Sequence, residues 1–134
     1  MGEIKVKGFE DLKVWQRSHE LVLGVYKVTQ QFPNEEKFGL TSQIRRSAVS
    51  VAANIAEGSK RQHLKEYIQM LYIAQGSLSE TTYYLLLAQD LKYLNGAEYE
   101  KILDQSEEIG KMLSGLINSL KNLKPNPQPL KSKT

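Results

Sequence analysis

The chain has 134 residues, 40% hydrophobic and 25% charged, enough for one core and too few for two comfortable domains. It contains no cysteine, which removes disulfides, thiolate metal sites and a cysteine nucleophile. The net charge of +3 is unevenly spread: residues 40–65 hold five Lys or Arg against one acid, residues 66–120 three against eight, and residues 121–134 four against none.

In chain order, residues 1–8 form an N-terminal extension of alternating charge, with no apolar stretch of the kind a secretory signal needs, and a cytoplasmic protein is expected. The first helix is predicted from about Asp11 to Gln31. Its apolar face is expected to comprise Leu12, Trp15, Val22 and Tyr26, with Leu21, Val25 and Val28 beside them. Phe32-Pro33-Asn34 ends it.

The second helix is expected to begin between Glu36 and Ser42 and to stop at Gly58, where glycine would take the left-handed conformation. One stripe passes through Leu40, Ile44, Ala48, Val51 and Ile55, and a second through Arg45, Val49, Ala52 and Ala56. Together they exceed one core's needs, so this helix should touch neighbours on two sides. A polar row remains: Arg46, Ser50, Asn54, Glu57 and Arg61, at steps of three and four. Three readings stay open for it. It is a solvated face, or a set of directional groups fixing register between packed surfaces, or a phosphate contact using Arg46, Lys60 and Arg61, which Glu57 opposes.

The third and fourth helices carry the strongest periodicity. Leu64, Tyr67, Leu71, Ala74, Leu78, Thr81, Leu85 and Ala88 recur at alternating three and four, as do Tyr99, Ile102, Ser106, Ile109, Leu113, Leu116, Leu120 and Leu123. Asn95-Gly96 is predicted to supply the turn between them. The expected fold is an all-α, antiparallel up-down-up-down four-helix bundle over residues 9–123, followed by a cationic tail, 124–134, whose three prolines forbid helix and favour disorder.

FEDLKVWQ at 9–16, FPNEEKFGLTSQIRRSAVSVAANIAEGSKRQ at 32–62 and IAQGSLSE at 73–80 closely resemble the 23S ribosomal RNA intervening-sequence protein family, most specifically at NIAEG, 54–58. That resemblance implies a bacterial four-helix bundle assembled as a ring-like homopentamer. Carried over by position, the recurrent polar residues fall on Gln43, Arg45, Arg46, Asn54, Glu57, Gly58, Arg61, Ser77 and Glu80. More distantly the chain resembles the accessory variability determinant of diversity-generating retroelements, a pentameric basic protein that binds nucleic acid and a reverse transcriptase. Relatives place Ser or Thr where His63 stands, so a hydroxyl cap pairing with Glu66 is missing, and Thr81-Thr82-Tyr83-Tyr84 is more aromatic than the family's aliphatic run.

Motifs for chemistry are wanting. His19 begins HELVL rather than a zinc-binding HExxH, no Glu-x-x-His occurs, and no phosphate-cradling glycine loop or nucleophile elbow is present. Glu57 and Glu80 as an acid–base pair need more assumptions than a structural role. The expectation is a non-enzyme without metal or cofactor whose partners are itself and RNA or DNA, the latter held by Arg46, Lys60, Arg61, Lys65, Lys121 and Lys124. A fivefold ring would raise the +3 of one chain to +15. The alternative is an assembly or adaptor module that presents its surface to another protein and has no nucleic-acid role. No membrane is expected, the apolar runs being too short.

Overall fold

A computed structural model describes residues 8–123. It is all-α, with four helices and, among the described residues, no strand: α1, Lys13–Thr29; α2, Leu40–Gly58; α3, Leu64–Asp90; and α4, Gly96–Lys121. Single 3₁₀ turns, Phe9–Asp11 and Asn34–Glu36, precede α1 and α2. At 1.5 Å per residue the 27 residues of α3 span about 40 Å. Each helix packs on its sequence neighbours, and α1 also packs on α4, closing a square around one core.

That core is the aliphatic seam expected of α2, α3 and α4. Ile44, Ala48, Val51, Ile55, Leu71, Ala74, Leu85, Ala88, Ile109 and Leu113 are completely buried, whereas Leu64 and Leu123, at the seam ends, are exposed. In α1 the buried face is instead Val14, Ser18, Leu21, Val25 and Thr29, with Tyr26 outside. Two hydroxyl residues sit in this face because each bonds a carbonyl one turn back, Ser18 to Val14 and Thr29 to Val25, both at 2.7 Å. Their polar names hid them from a reading of apolar period.

The helix ends are fixed by specific side chains. Gly39, before α2, has none to offer, so Glu36 reaches from the 3₁₀ turn and accepts the Leu40 N–H at 2.9 Å. Its other oxygen accepts the Tyr93 hydroxyl at 2.9 Å, and Tyr93 leans on Phe32 with ring centroids 5.3 Å apart, which ties the α1–α2 connection to the α3–α4 turn. His63 precedes α3 with no side-chain cap, in keeping with its lack of a hydroxyl.

Two sequence expectations need correction. Asn95-Gly96 is not the reversal: Asn95 is the N-cap of α4, its side chain accepting Glu98 N–H at 2.8 Å while Glu98 accepts Asn95 N–H at 3.1 Å. The left-handed residue is Lys92, φ 67°, three positions earlier. Gly58 is also not left-handed; it is the last residue of α2, buried, and no described glycine has positive φ. A Cβ there would lie 3.0 Å from Met70 Cβ and 3.1 Å from Tyr67 Cδ1 of α3, so glycine is required for helix approach.

Met70 Cβ is one bond from its backbone and cannot swing aside, so Gly58→Ala is expected to part α2 from α3 and cost about 1–3 kcal/mol. Gly115→Ala, where nothing lies within 4 Å, is expected to gain about 0.5–1 kcal/mol from helix propensity. Urea unfolding of the two variants checks the opposite signs.

Candidate interaction surface

The polar row of α2 finds partners on α3. Small residues line the contact, and four hydroxyls meet across it: Ser47 with Thr81 at 2.8 Å in full burial, and Ser50 with Ser77 at 2.7 Å. Ser47 and Thr81 also touch carbonyls of their own helices, Ile44 at 3.1 Å and Ser77 at 2.8 Å. Two protons serve three contacts, so when one hydroxyl donates across the interface the other donates along its helix. Asn54 stands beside them, its Nδ2 donating to the Ser50 carbonyl at 2.8 Å and to Ser50 Oγ at 3.0 Å.

Toward solvent the same interface carries charge. Arg46 binds Glu80, Arg46 Nε donates to Gln43 Oε1 at 3.1 Å, and the Tyr84 hydroxyl donates to Glu80 at 2.8 Å. Gln43, Arg46, Ser50, Asn54, Ser77 and Glu80 are thereby brought into one strip, with Tyr84 as a member that sequence reasoning did not assign. The i,i+4 relation of Glu80 to Tyr84 was the available signal. Donation to the carboxylate holds the Tyr84 phenol above its ordinary pKa of 10.0, with partial burial and the carboxylate charge adding to the effect and Arg46 opposing it.

Other expected site residues lie elsewhere. Arg45 turns toward α1, where its Nε donates to Thr29 Oγ1 at 2.8 Å and its guanidinium covers the Tyr26 ring at 4.5 Å. Both sides of α2 are thus met within its own chain. Glu57 pairs with Arg61 one turn on, at the α2 C-terminus. At this end Lys60 places its Nζ 5.5 Å from the Phe9 ring, and Arg61 and Lys65 line an open hollow of about 440 Å³ with Glu66, Gln69, Met70 and Ile73. Lys121 arrives from α4, its Nζ donating to the Tyr72 hydroxyl at 3.2 Å. Lys124 lies outside the described residues, as does the rest of the 124–134 tail.

Outward from the strip, α3 carries Gln69, Ile73, Gly76, Glu80, Tyr83 and Leu87 at alternating steps of four and three. Ile73 is 45% and Tyr83 57% exposed, and Val49 of α2 adds a third exposed apolar side chain. Leu87, at the end of the stripe, is half-buried against the core, so the part that faces water is Gln69, Ile73, Gly76 and Tyr83, a second heptad stripe of the kind found on a helix that packs on two sides. The described residues include no cluster of acids or histidines able to hold a metal, and no helix is long and apolar enough to cross a membrane.

Residues 10–115 match the sequence profile of the 23S rRNA-intervening sequence protein family. The chain belongs to this family. Among solved structures it is similar to a protein of unknown function from the S23 ribosomal protein family of Bacteroides thetaiotaomicron VPI-5482. The two are 33% identical, with a TM-score of 0.71 over 78% of this chain and 97% of that one. No curated protein matches the sequence.

The hydrogen bond to Glu80, then burial, raises Tyr84, and Tyr93 is raised likewise by its bond to Glu36, then by burial and by the charges of Glu36 and Glu35. A phenol whose pKa is higher folded than unfolded contributes stability that is whole below pH 10 and is lost as pH rises through the folded value. The melting temperature of the wild type is therefore expected to fall more steeply above about pH 10 than that of a Tyr84→Phe, Tyr93→Phe double variant. Parallel slopes in thermal melts across that range would remove both phenols from the account.

Proposed function

We propose that the protein is a non-catalytic, self-assembling helical bundle that binds RNA or DNA through cations gathered at one end. The up-down-up-down reading draws on cross-helix pairs. Arg45 meets Thr29 and Lys60 meets Phe9. Gln75 meets Ser114 and Tyr72 meets Lys121, while Gln31 meets Glu98 and Arg17 meets Glu108. In each case numbers rise along one helix as they fall along the next.

The observation that carries the nucleic-acid reading is the set of cations at one end of the bundle: Lys60, just past α2, over the half-buried Phe9 ring, Lys121, at the end of α4, by the exposed Tyr72 ring, and Lys65 in the first turn of α3. Cations beside aromatic faces are what single-stranded segments require. Arg46 and Arg61 contribute less, each being held by a carboxylate. Binding of labelled structured RNA, followed by anisotropy, is expected to weaken steeply between about 50 and 200 mM salt. Lys60→Glu, Lys65→Glu and Lys121→Glu together are expected to weaken it at least about tenfold. No binding at about 50 mM salt and micromolar protein overturns the reading.

Self-assembly is supported by the exposed Ile73, Gly76 and Tyr83 next to the Arg46–Glu80 strip, and the family likeness supports a homopentameric ring. An exposed Arg–Glu pair contributes at most about 1 kcal/mol to one chain. Arg46→Ala and Asn54→Leu are therefore expected to leave helix content intact and to change the sedimenting mass. Unchanged mass returns the strip to a solvated face. A second reading, an adaptor for another protein, is favoured by Phe38, 87% exposed in the turn before α2. Recovery of one stoichiometric protein after nuclease treatment would favour it.

A further inference from the structure

The 3₁₀ turn at Phe9–Asp11 is pinned to α1 by Gln16, whose Nε2 donates to the Glu10 carbonyl at 2.8 Å. The turn sets Phe9 on Trp15, centroids 5.0 Å apart and planes tilted by 58°. One helical turn on, His19 lies flat against the same indole at 5.0 Å, with only 7° between the planes. Trp15 packs on the core, Phe9 is half-buried and carries the Lys60 ammonium, and His19 is exposed. By order of contact the set runs Lys60, Phe9, Trp15, His19. Burying Trp15 does not call for an imidazole laid parallel to it, and the result is a flat ring backed by the indole and facing solvent.

We propose that this stack is a platform for unpaired nucleobases, with the outer face of His19 as the stacking surface and Lys60 as the phosphate contact. The proposal rests on the nucleic-acid reading above and gives it a ligand class: single strands rather than duplex. Charge argues for bases over backbone here. Glu10 and Asp11 border the stack and repel phosphate, and Arg17 is engaged by Glu20 and Glu108, both at 3.6 Å. A duplex offers mainly phosphates to such a site, whereas a single strand offers π-faces that stack regardless of sequence.

Trp15 is the chain's one tryptophan, so its emission reports on this site alone. Titrating the full chain with an oligouridylate at about 50 mM salt is expected to quench Trp15 in step with the anisotropy of the same oligonucleotide carrying a label, while a duplex does not quench. His19→Glu puts a carboxylate where the ring lay and is expected to weaken oligouridylate binding about tenfold. His19→Tyr, which restores a flat ring, is expected to bind as the wild type does. Gln30→Glu, the same charge change at the far end of α1, sets the size of the general electrostatic effect. Anisotropy that rises with no change in Trp15 emission, or His19→Glu equal to Gln30→Glu, overturns the platform and leaves nucleic-acid binding standing. Absence of any anisotropy change overturns both.

Discussion

The close approach of α2 to α3 is the constraint on which the remaining arrangement depends. It is made possible by Ser47, Ser50 and Gly58 on one helix and Ser77 and Thr81 on the other, where any larger side chain would hold the backbones apart. Each neutral hydroxyl pair adds only about 0.5–1.5 kcal/mol net, less than the burial of one leucine at about 1.5–3 kcal/mol. The hydroxyls matter for register instead. A slip of one heptad would set Ser47 against Ala74 or Ala88, leaving Ser47 and Thr81 only the carbonyls of their own helices and losing the cross-helix bond, about 0.5–1.5 kcal/mol. The aliphatic seam alone, being repetitive, would tolerate that slip far better.

A helix packed on both sides can hold so many hydrogen-bonding groups because each finds a partner at the edge of the contact. Ser50 and Asn54 form a ladder at the edge of the contact, and Arg46 and Glu80 close it on the solvent side. Among the described side chains, no buried nitrogen or oxygen lacks a partner. The ladder is therefore complete within one chain. What it leaves over is geometry: a fixed guanidinium–carboxylate pair with Tyr84 behind it, set beside exposed Ile73 and Tyr83. Exposed ion pairs contribute little to folding, so their cost in side-chain entropy is better explained by a surface that must be presented in one shape.

The fold was legible because α3 and α4 repeat apolar residues with a helical period long enough to outweigh local ambiguity, and Ile44, Val51 and Ile55 extend the pattern into α2. Ser18 and Thr29 were not legible as core, since their burial depends on a bond to the preceding turn rather than on hydropathy. Gly58 was read as a terminator because sequence shows a glycine at a helix end and cannot show Met70 opposite it. Lys92 carries no mark of its left-handed backbone, and Asn95-Gly96 imitated a turn that in fact starts a helix. Of the site, the residues of the strip were visible and their partners were not: Arg46 to Glu80 crosses 34 positions, while Arg45, its neighbour, points to the opposite helix. Trp15 and His19, four apart on one helix, were legible as neighbours, but Phe9 was not, because the 3₁₀ turn that folds it back leaves no periodic trace.

Charge distribution sets how such a surface can act. Arg46 and Arg61 are paired with carboxylates, whereas Lys60, Lys65 and Lys121 have no carboxylate within 4.0 Å among the described residues. Three such lysines would release about two counterions from a single strand, at about 0.7 per phosphate contact. One chain would therefore bind weakly. Copies held side by side through the stripe on α3 would present their lysines to one strand at a high effective concentration, and affinity would multiply without any new contact. In the proposed assembly the closeness of α2 and α3 would serve binding indirectly: it sets the stripe, the stripe would set the spacing between copies, and that spacing would make a modest charge sufficient.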